Sequence, residues 1–435
     1  MKDCMLDFDR SSARTEQKLS RRMFVTIAGA AGAVAACASS SILNVAMADS
    51  SKSVASEIES WDYETDIVVC GSGAGGSATA VEAADQGCDV IIVEKRDWCG
   101  GQLRRSGGGF AAAGTPVQEK LGVKDSVDQF YDYVIACADG SVDPDLVKTW
   151  VYNATDTFNW LIDTLGAQPV DEWEFDSAAG DMGAENYSFG PGLSIGTEPS
   201  NYIDRGFEPV ARCHWFNAYE DDPFIGDESK HLFPKAGGTG LWHVMDLAIQ
   251  DRENIQVMTE TSLVRLVTAD DSNEVIGIVA QQGGEEIYIK ARKAVMVCTG
   301  NFASNHEMWR NYTGWDFEAS INGGNAEDIE DDNDGVGVNT VLALGGALEF
   351  PYKGPKNPSY DNKCALSYLG GGLKVDTSSR AVDAFGNIIP RLYIGGIASA
   401  GYVGENYPHC GCNISHSMTM GRLAAQDAAT LDNWE

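Results

Sequence analysis

Asp66-Ile67-Val68-Val69-Cys70-Gly71-Ser72-Gly73-Ala74-Gly75-Gly76 leads into a stretch of helix-forming residues and then into Asp89-Val90-Ile91-Ile92-Val93-Glu94-Lys95. Ile67 to Cys70 is a short apolar run of the kind buried inside a parallel sheet, and Gly71, Gly73 and Gly76 complete G-x-G-x-x-G directly after it. Glycines there let the chain turn sharply, let a pyrophosphate approach the backbone, and let the next helix pack with its N-terminal amides facing phosphate. Val90 to Val93 reads as a second strand, and Glu94 ends it where an acid bonds a ribose 2′-hydroxyl. A glycine turn alone is weak evidence. With its strand, helix and acid it predicts a dinucleotide site built from Gly71, Ser72, Gly73, Ala74, Gly75 and Gly76, with Glu94 and Lys95.

Gly100-Gly101-Gln102-Leu103, followed by Ser106-Gly107-Gly108-Gly109, resembles the second glycine-rich loop of the fumarate reductase, succinate dehydrogenase and ketosteroid dehydrogenase flavoproteins, where it passes under FAD. Further motifs keep that family's order. Lys293 to Phe302 resembles its strand ending in an A-T-G-G-F loop, with Cys298 and Asn301 in place of small residues. Asn333-Asp334-Gly335-Val336-Gly337 resembles its T-G-D-G-x-x-M loop, Gly370 to Asp376 and Ile389 to Gly396 its closing strands, and a helix from near Ser415 carries Gly421 to Ala425. The resemblance runs from about Asp62 to Asp427. It implies an α/β fold, a Rossmann-like FAD-binding domain with an inserted β-meander and a reduced or atypical cap. It also implies FAD as cofactor, with Gly101, Gln102, Ser106, Gly107, Val264, Thr299, Gly300, Asp334, Gly396, Asn413 and Ile414 joining the first loop in holding it. The chemistry implied is hydride transfer between flavin N5 and a carbon conjugated with a carbonyl.

The tail departs from the fumarate reductases, which grip dicarboxylates with histidines and an arginine. Gly404 to Asn413 reads GENYPHCGCN, without arginine, and Tyr368 stands where that family often shows a histidine. Only Phe350 to Ala365 separates two motifs that usually flank a whole cap domain. Tyr407-Pro408-x-x-Gly411 instead resembles the Y-P-G-x-G signature of ketosteroid dehydrogenases, which implies that the Tyr407 hydroxyl and the Gly411 amide polarise a substrate carbonyl. The other reading of Tyr407 is scaffold. His409 and His416 are expected near the flavin and are of a type whose ordinary pKa lies near neutrality, as proton donors or as packed polar residues; the catalytic candidates are Tyr407, Gly411, His409 and Tyr368.

Composition bounds the rest. The 435 residues can bury a large core, and 31 basic against 64 acidic residues give a net charge of −33, which repels phosphate backbones and argues against nucleic acid. Ser20-Arg21-Arg22-Met23-Phe24-Val25 and the apolar run behind it form a twin-arginine export pattern, so 1–48 is excluded from the fold. Val34-Ala35-Ala36-Cys37 offers a lipid anchor at Cys37, and Ala46-Met47-Ala48 offers cleavage to a soluble product; either places the protein in the periplasm or on the outer face of the membrane. Most cysteines stand singly in apolar runs, and no C-x-x-C-H marks a c-type haem; Cys410 and Cys412 could bind a metal with His409, but a metal site needs more ligands than are in view. The expected organisation is an FAD-binding domain over 60–350 with an irregular insert at 171–230, a remnant cap at 351–367, and the rest of the domain over 368–435. The insert is expected to cover the flavin in place of the cap, bringing Tyr202, Arg205, Arg212, His214, Trp215 or Tyr219 to substrate. The partners expected are a small-molecule substrate and a separate cytochrome or quinol-linked electron carrier. The alternative is a catalytically silent flavin-binding electron-transfer subunit.

Overall fold

A computed structural model describes residues 52–170, 188–190, 192–197, 199–217, 222, 238–302, 304–313, 333–349, 371–404 and 407–434. The export segment with Cys37, the 351–367 stretch, Tyr368 and Tyr219 lie outside the described residues. Strands β1 Lys52–Val54, β2 Tyr63–Cys70 and β3 Val90–Val93 come first. Four short strands follow, β4 Phe110–Ala111, β5 Ser188–Gly190, β6 Leu193–Ser194 and β7 Cys213–His214. Longer ones are β8 Ile255–Met258, β9 Thr261–Thr268, β10 Val275–Gln282 and β11 Glu285–Val297, then β12 Arg380–Val382 and β13 Ile388–Ile394. The helices that matter for the site are α1 Ala74–Asp85, α2 Gly101–Arg105, α3 Val127–Ala138, α4 Pro144–Asn159, α5 Gly238–Gln250, α6 Val336–Ala343 and α7 Cys412–Ala429.

The parallel core runs β13-β11-β2-β3-β8. Strands β2 and β3 at its centre are covered on both faces, which is why they are nearly continuous apolar runs. In register, Val297 faces both Cys70 and Ile394, and Cys70 faces Val93. All four carboxyl ends therefore lie along one edge. Gly71, Glu94, Thr299 with Gly300, and Gly395 with Gly396 meet there, the edge at which open α/β sheets bind ligands.

β11 serves two partners. Its first half pairs antiparallel with β10, which pairs with β9, making the expected meander. Its second half is the core strand beside β13. In the sequence, Glu286 to Ala291 reads as the last strand of the meander and Lys293 as the start of the next, separate strand. The chain instead bulges between the pairs Ala291↔Thr65 and Ala294↔Ile67, and the polar residues turn out of the ladder. Arg292 binds Asp66 at 2.8 Å and Asp89 at 3.0 Å, and Lys293 donates to the Ala429 carbonyl at 3.1 Å. Ile255–Met258, which the sequence placed in the meander, is the opposite edge of the parallel core.

Helices α1 and α7 pack closely. A Cβ on Gly421 would stand 2.6 Å from the Gly75 carbonyl oxygen, and Thr79 Oγ1 donates to the Gly421 carbonyl at 3.1 Å. Arg422 and Glu82 close the same contact as an ion pair at 2.8 Å. α7 starts at Cys412, ahead of the expected Ser415.

The expected irregular insert is ordered where it is described. β5, β6 and β7 join β4 in an antiparallel sheet of order β4-β7-β6-β5. Strands of two or three residues carry no readable period, so the sequence hid them. The side chains expected at substrate are used for packing instead. Tyr202 stacks on Tyr133 with centroids 3.9 Å apart, and Arg212 is 2 % exposed and paired with Asp125. Trp215 donates to Ser194 Oγ at 2.9 Å, and Arg205 donates to the Asn201 carbonyl at 2.8 Å. His214 is enclosed, its Nδ1 on the Phe110 carbonyl at 3.1 Å and its Nε2 on Thr115 Oγ1 at 2.8 Å.

Candidate functional site

The glycines of the first loop answer different demands. A Cβ on Gly71, where φ is +98°, would lie 2.5 Å from the Cys298 carbonyl oxygen, and one on Gly76 would lie 1.9 Å from the Gly71 carbonyl oxygen. These two are forced by the protein's own packing. Gly73 is not: a Cβ there would meet nothing within 4 Å. Open space at a loop glycine, ahead of a helix with no acid in its first turn and no side-chain cap, is what a pyrophosphate lying on the backbone requires.

Glu94 is buried and tied to that loop. Its Oε2 accepts from the Ser72 N–H at 3.0 Å and from Ser72 Oγ at 2.6 Å, while Oε1 accepts from the Arg96 N–H at 3.0 Å. A carboxylate has about four acceptor sites, so one remains for a ribose hydroxyl. Ser72 Oγ in turn accepts from the Gly100 N–H at 3.0 Å, joining the first glycine loop to the second. α2 begins at Gly101, where a Cβ would come within 3.3 Å of the Gly73 Cα, and carries Gln102 in its first turn. Ser106 Oγ donates to the Leu103 carbonyl and accepts from Gly108, and the Trp215 ring covers Gly107, 3.1 Å from where a Cβ would stand.

Around the same edge, Lys95 pairs with Asp334 at 3.0 Å, and the other Asp334 oxygen accepts from Val336 N–H at the start of α6. No local pattern signals this pair, whose partners lie far apart in the chain. Val264 sits at a β9 bulge, between the pairs Arg265↔Val279 and Leu263↔Ala280, so its peptide faces no residue across the β10 ladder. Thr299 Oγ1 is buried without a partner among the described residues, and Gly300 holds φ +80°, where a Cβ would also stand 2.2 Å from Asn333 Oδ1. Gly396 lies against Gly75, whose Cβ would be 2.6 Å from the Gly396 nitrogen.

Beyond Gly396 a cleft opens, lined by Asn301, Ile397, Ser399, Tyr402, Asn413 and His416, with Gly371 and Val403. Asn413 and Ile414 form the first turn of α7, whose N-cap, Gly411, holds φ +87° against Gly109 and Phe110. The first turn carries no acid, so the positive helix end faces whatever fills the cleft. His416, which the sequence offers with His409 as a proton donor or a packed polar residue, lines this space.

Tyr407 and Gly411 bracket a tightly held loop. The Asn413 N–H donates to Tyr407 Oη at 3.1 Å, Tyr133 Oη donates to the Pro408 carbonyl at 2.9 Å, and the Cys410 N–H donates to the Gly196 carbonyl at 2.8 Å. The Ala111 N–H donates to the Gly411 carbonyl at 3.2 Å, while the Gly411 N–H makes no hydrogen bond among the described residues. His409 is fully enclosed, its ring 5.5 Å from Phe130 and 6.2 Å from Tyr133. Its Nδ1 meets the Cys410 carbonyl at 2.8 Å, so that nitrogen carries the proton of a neutral ring, and burial lowers its pKa to about 3. His416 is lowered to about 3 by burial alone.

The cradle fits a flavin dinucleotide: a ribose acceptor at Glu94, open backbone at Gly73, unpartnered buried polar atoms at Thr299 and His416, and a helix end beyond. Residues 66–328 match the FAD binding domain family. The acrylate reductase flavoprotein subunit of Shewanella woodyi is 26 % identical over 300 residues, 67 % of this chain and 48 % of that protein. The NADH:fumarate oxidoreductase of Klebsiella pneumoniae is 37 % identical over 266 residues, 60 % of this chain and 24 % of that protein. The chain thus spans about half or less of the length of the curated relatives it matches. Among solved structures, a 3-ketosteroid-Δ4-(5α)-dehydrogenase from Rhodococcus jostii RHA1, in complex with 4-androstene-3,17-dione, superposes with a TM-score of 0.70 at 20 % identity, covering 87 % of this chain and 100 % of the other. That likeness shows the same fold. The chain belongs to the FAD binding domain family, with FAD as its cofactor.

Proposed function

We propose that this chain is the flavin-bearing part of an oxidoreductase that reduces, or forms, a C=C bond conjugated with a carbonyl. The observation that carries the reading is the Tyr407–Gly411 loop, pinned at the start of α7 by Asn413, Tyr133, Gly196 and Ala111 while the Gly411 N–H stays uncommitted among the described residues. When bound, FAD supplies hydride exchange at flavin N5. The protein's part is to hold the carbonyl: the Gly411 N–H and the Tyr407 hydroxyl bond its oxygen, more strongly as negative charge builds on it. Acceptance from Asn413 polarises the Tyr407 hydroxyl for that role.

The charge distribution favours one carbonyl over two carboxylates. Arg212, which lies over the Phe130 and Tyr133 rings that also flank His409, is taken by Asp125, and Arg104 is taken by Asp222. A dicarboxylate would need cations of its own. Acrylate and fumarate, in the names of the relatives, are both unsaturated acids, and the dione bound to the structural neighbour is an enone. An enone or a monocarboxylic enoate suits this site best.

Export by the twin-arginine route, with a separate electron carrier docking on the acidic surface, completes the reading and rests on the sequence patterns at 20–25 and on the net charge of −33. The test is anaerobic reoxidation of the dithionite-reduced protein by fumarate, urocanate, cinnamates and ketosteroids. Fast, selective reoxidation by one enone or monocarboxylic enoate is expected. Equal, slow reoxidation by all of them would make the chain an electron-transfer subunit.

A further inference from the structure

The cleft beyond Gly396 contains one ionisable group from α7, and that group has no partner. His416 is 3 % exposed, and neither ring nitrogen makes a hydrogen bond among the described residues; Nδ1 is fully enclosed. The ring is held by stacking. Tyr402 lies parallel to it with centroids 5.0 Å apart at 8°, and Trp150 meets it edge-on at 5.9 Å and 77°. Trp150 is itself fixed, donating to Ser415 Oγ at 2.8 Å. An imidazole oriented this firmly and bonded to nothing needs an occupant of the cleft.

Among the described residues, no fixed charge competes for it. The first turn of α7 carries no acid, α4 presents Trp150, and the loop beyond β11 presents Asn301. Tyr402 is the titratable neighbour among the described residues; Asp376 and Asp143 act on Tyr402, and His416 is shifted by burial alone. Burial is the cause that keeps the imidazole neutral. A negative charge arriving in the cleft would reverse that balance, because an opposite charge within a few ångströms favours the protonated ring. A dinucleotide held along Gly73 and Gly396 would bring the ring of its cofactor towards this cleft, beside Asn301 and the positive end of α7.

We propose that His416 takes up a proton when the bound FAD is reduced. Reduction then consumes two electrons and two protons: one proton goes to the flavin, leaving the reduced ring anionic, and the other goes from solvent to His416. The imidazolium so formed neutralises the anionic ring. Electrons come from the electrode or from dithionite in the experiment below. The proposal requires FAD binding and no particular substrate, so its failure leaves the C=C reading untouched.

The test is the pH dependence of the two-electron midpoint potential of the FAD-loaded protein between about pH 5 and pH 7, with H416Q beside it. Two protons per two electrons change the reduction equilibrium about a hundredfold per pH unit, about 60 mV; one proton changes it tenfold, about 30 mV. The wild type is expected to show the steeper slope together with the absorption spectrum of anionic reduced flavin, and H416Q the shallower one. A shallow slope in the wild type, a steep slope retained in H416Q, or a neutral reduced flavin spectrum in the wild type would each overturn the proposal. Should H416Q not accumulate as folded protein, 15N NMR of the wild-type histidines decides: His416 nitrogens that shift to imidazolium values on reduction support it, and unchanged shifts refute it.

Discussion

Replacing Arg212 with methionine tests whether the segment between Leu193 and His214 is part of the scaffold or part of the substrate site. The guanidinium binds both oxygens of Asp125, at 2.8 and 2.7 Å, with side-chain exposures of 2 % and 0 %. It lies 5.3 to 5.8 Å from the centres of the Phe130, Tyr133 and Tyr202 rings. Methionine fills much of that volume and leaves the Asp125 carboxylate buried without a cation, with Gln118 at 3.0 Å and the Ser126 N–H at 2.9 Å as the neutral donors still bonding it. Removing one partner of a buried pair costs about 3–5 kcal/mol, whereas replacing both with neutral groups of similar shape is close to neutral. R212M is therefore expected to lose about 3–5 kcal/mol, and R212M/D125N to recover most of it. Urea unfolding followed by circular dichroism reads both, as a shift of midpoint at constant slope. A loss under about 1 kcal/mol in R212M, or a double variant no better than the single one, would refute the reasoning and return Arg212 to the list of substrate contacts.

The glycines of the first loop separate folding from cofactor binding. G76A, whose new methyl would stand 1.9 Å from a backbone oxygen, is expected to fail to fold or to retain no FAD, checked by yield and absorbance. G73A, whose methyl meets nothing in the protein, is expected to keep the wild-type unfolding midpoint without FAD while its FAD dissociation constant rises at least about tenfold, measured by calorimetry. Y407F is expected to keep its FAD and lose about 10²–10³ in kcat on an enone substrate, the scale of one lost oxyanion donor. Stability should fall in acid, because His214, His409 and His416 are buried neutral with pKa values near 4, 3 and 3, below the unfolded value near 6.5. Between those values the unfolded chain binds more protons, so the stabilisation is fully present above about pH 6.5 and is lost as pH drops towards 4, by about 1.4 kcal/mol per pH unit for each ring. Urea midpoints from pH 7 to pH 4 check the direction; a flat profile would contradict it.

The parallel core was legible because buried strands in such a sheet must be apolar along their whole length, as Ile67–Cys70 and Val90–Val93 are, and because only glycine fits at Gly71 and Gly76. Arg292 and Lys293 misled the reading of β11, since a bulge lets charged residues leave the ladder without ending the strand. The insert was opaque for a related reason: its strands are too short to show a period, and its aromatic and cationic residues serve each other. A buried Arg212 and a substrate-binding arginine look alike in sequence; the bidentate Asp125, distant in the chain, tells them apart. His416 was named from the sequence, but the choice between proton donor and packed polar residue was not legible there, because it depends on what does not touch the ring.

Flavin occupancy after purification tests the central claim most directly. The account predicts a yellow protein that carries, or takes up on addition, one FAD per chain, and that loses affinity in G73A with its fold intact. A well-folded, colourless wild-type protein that refuses added FAD would contradict it.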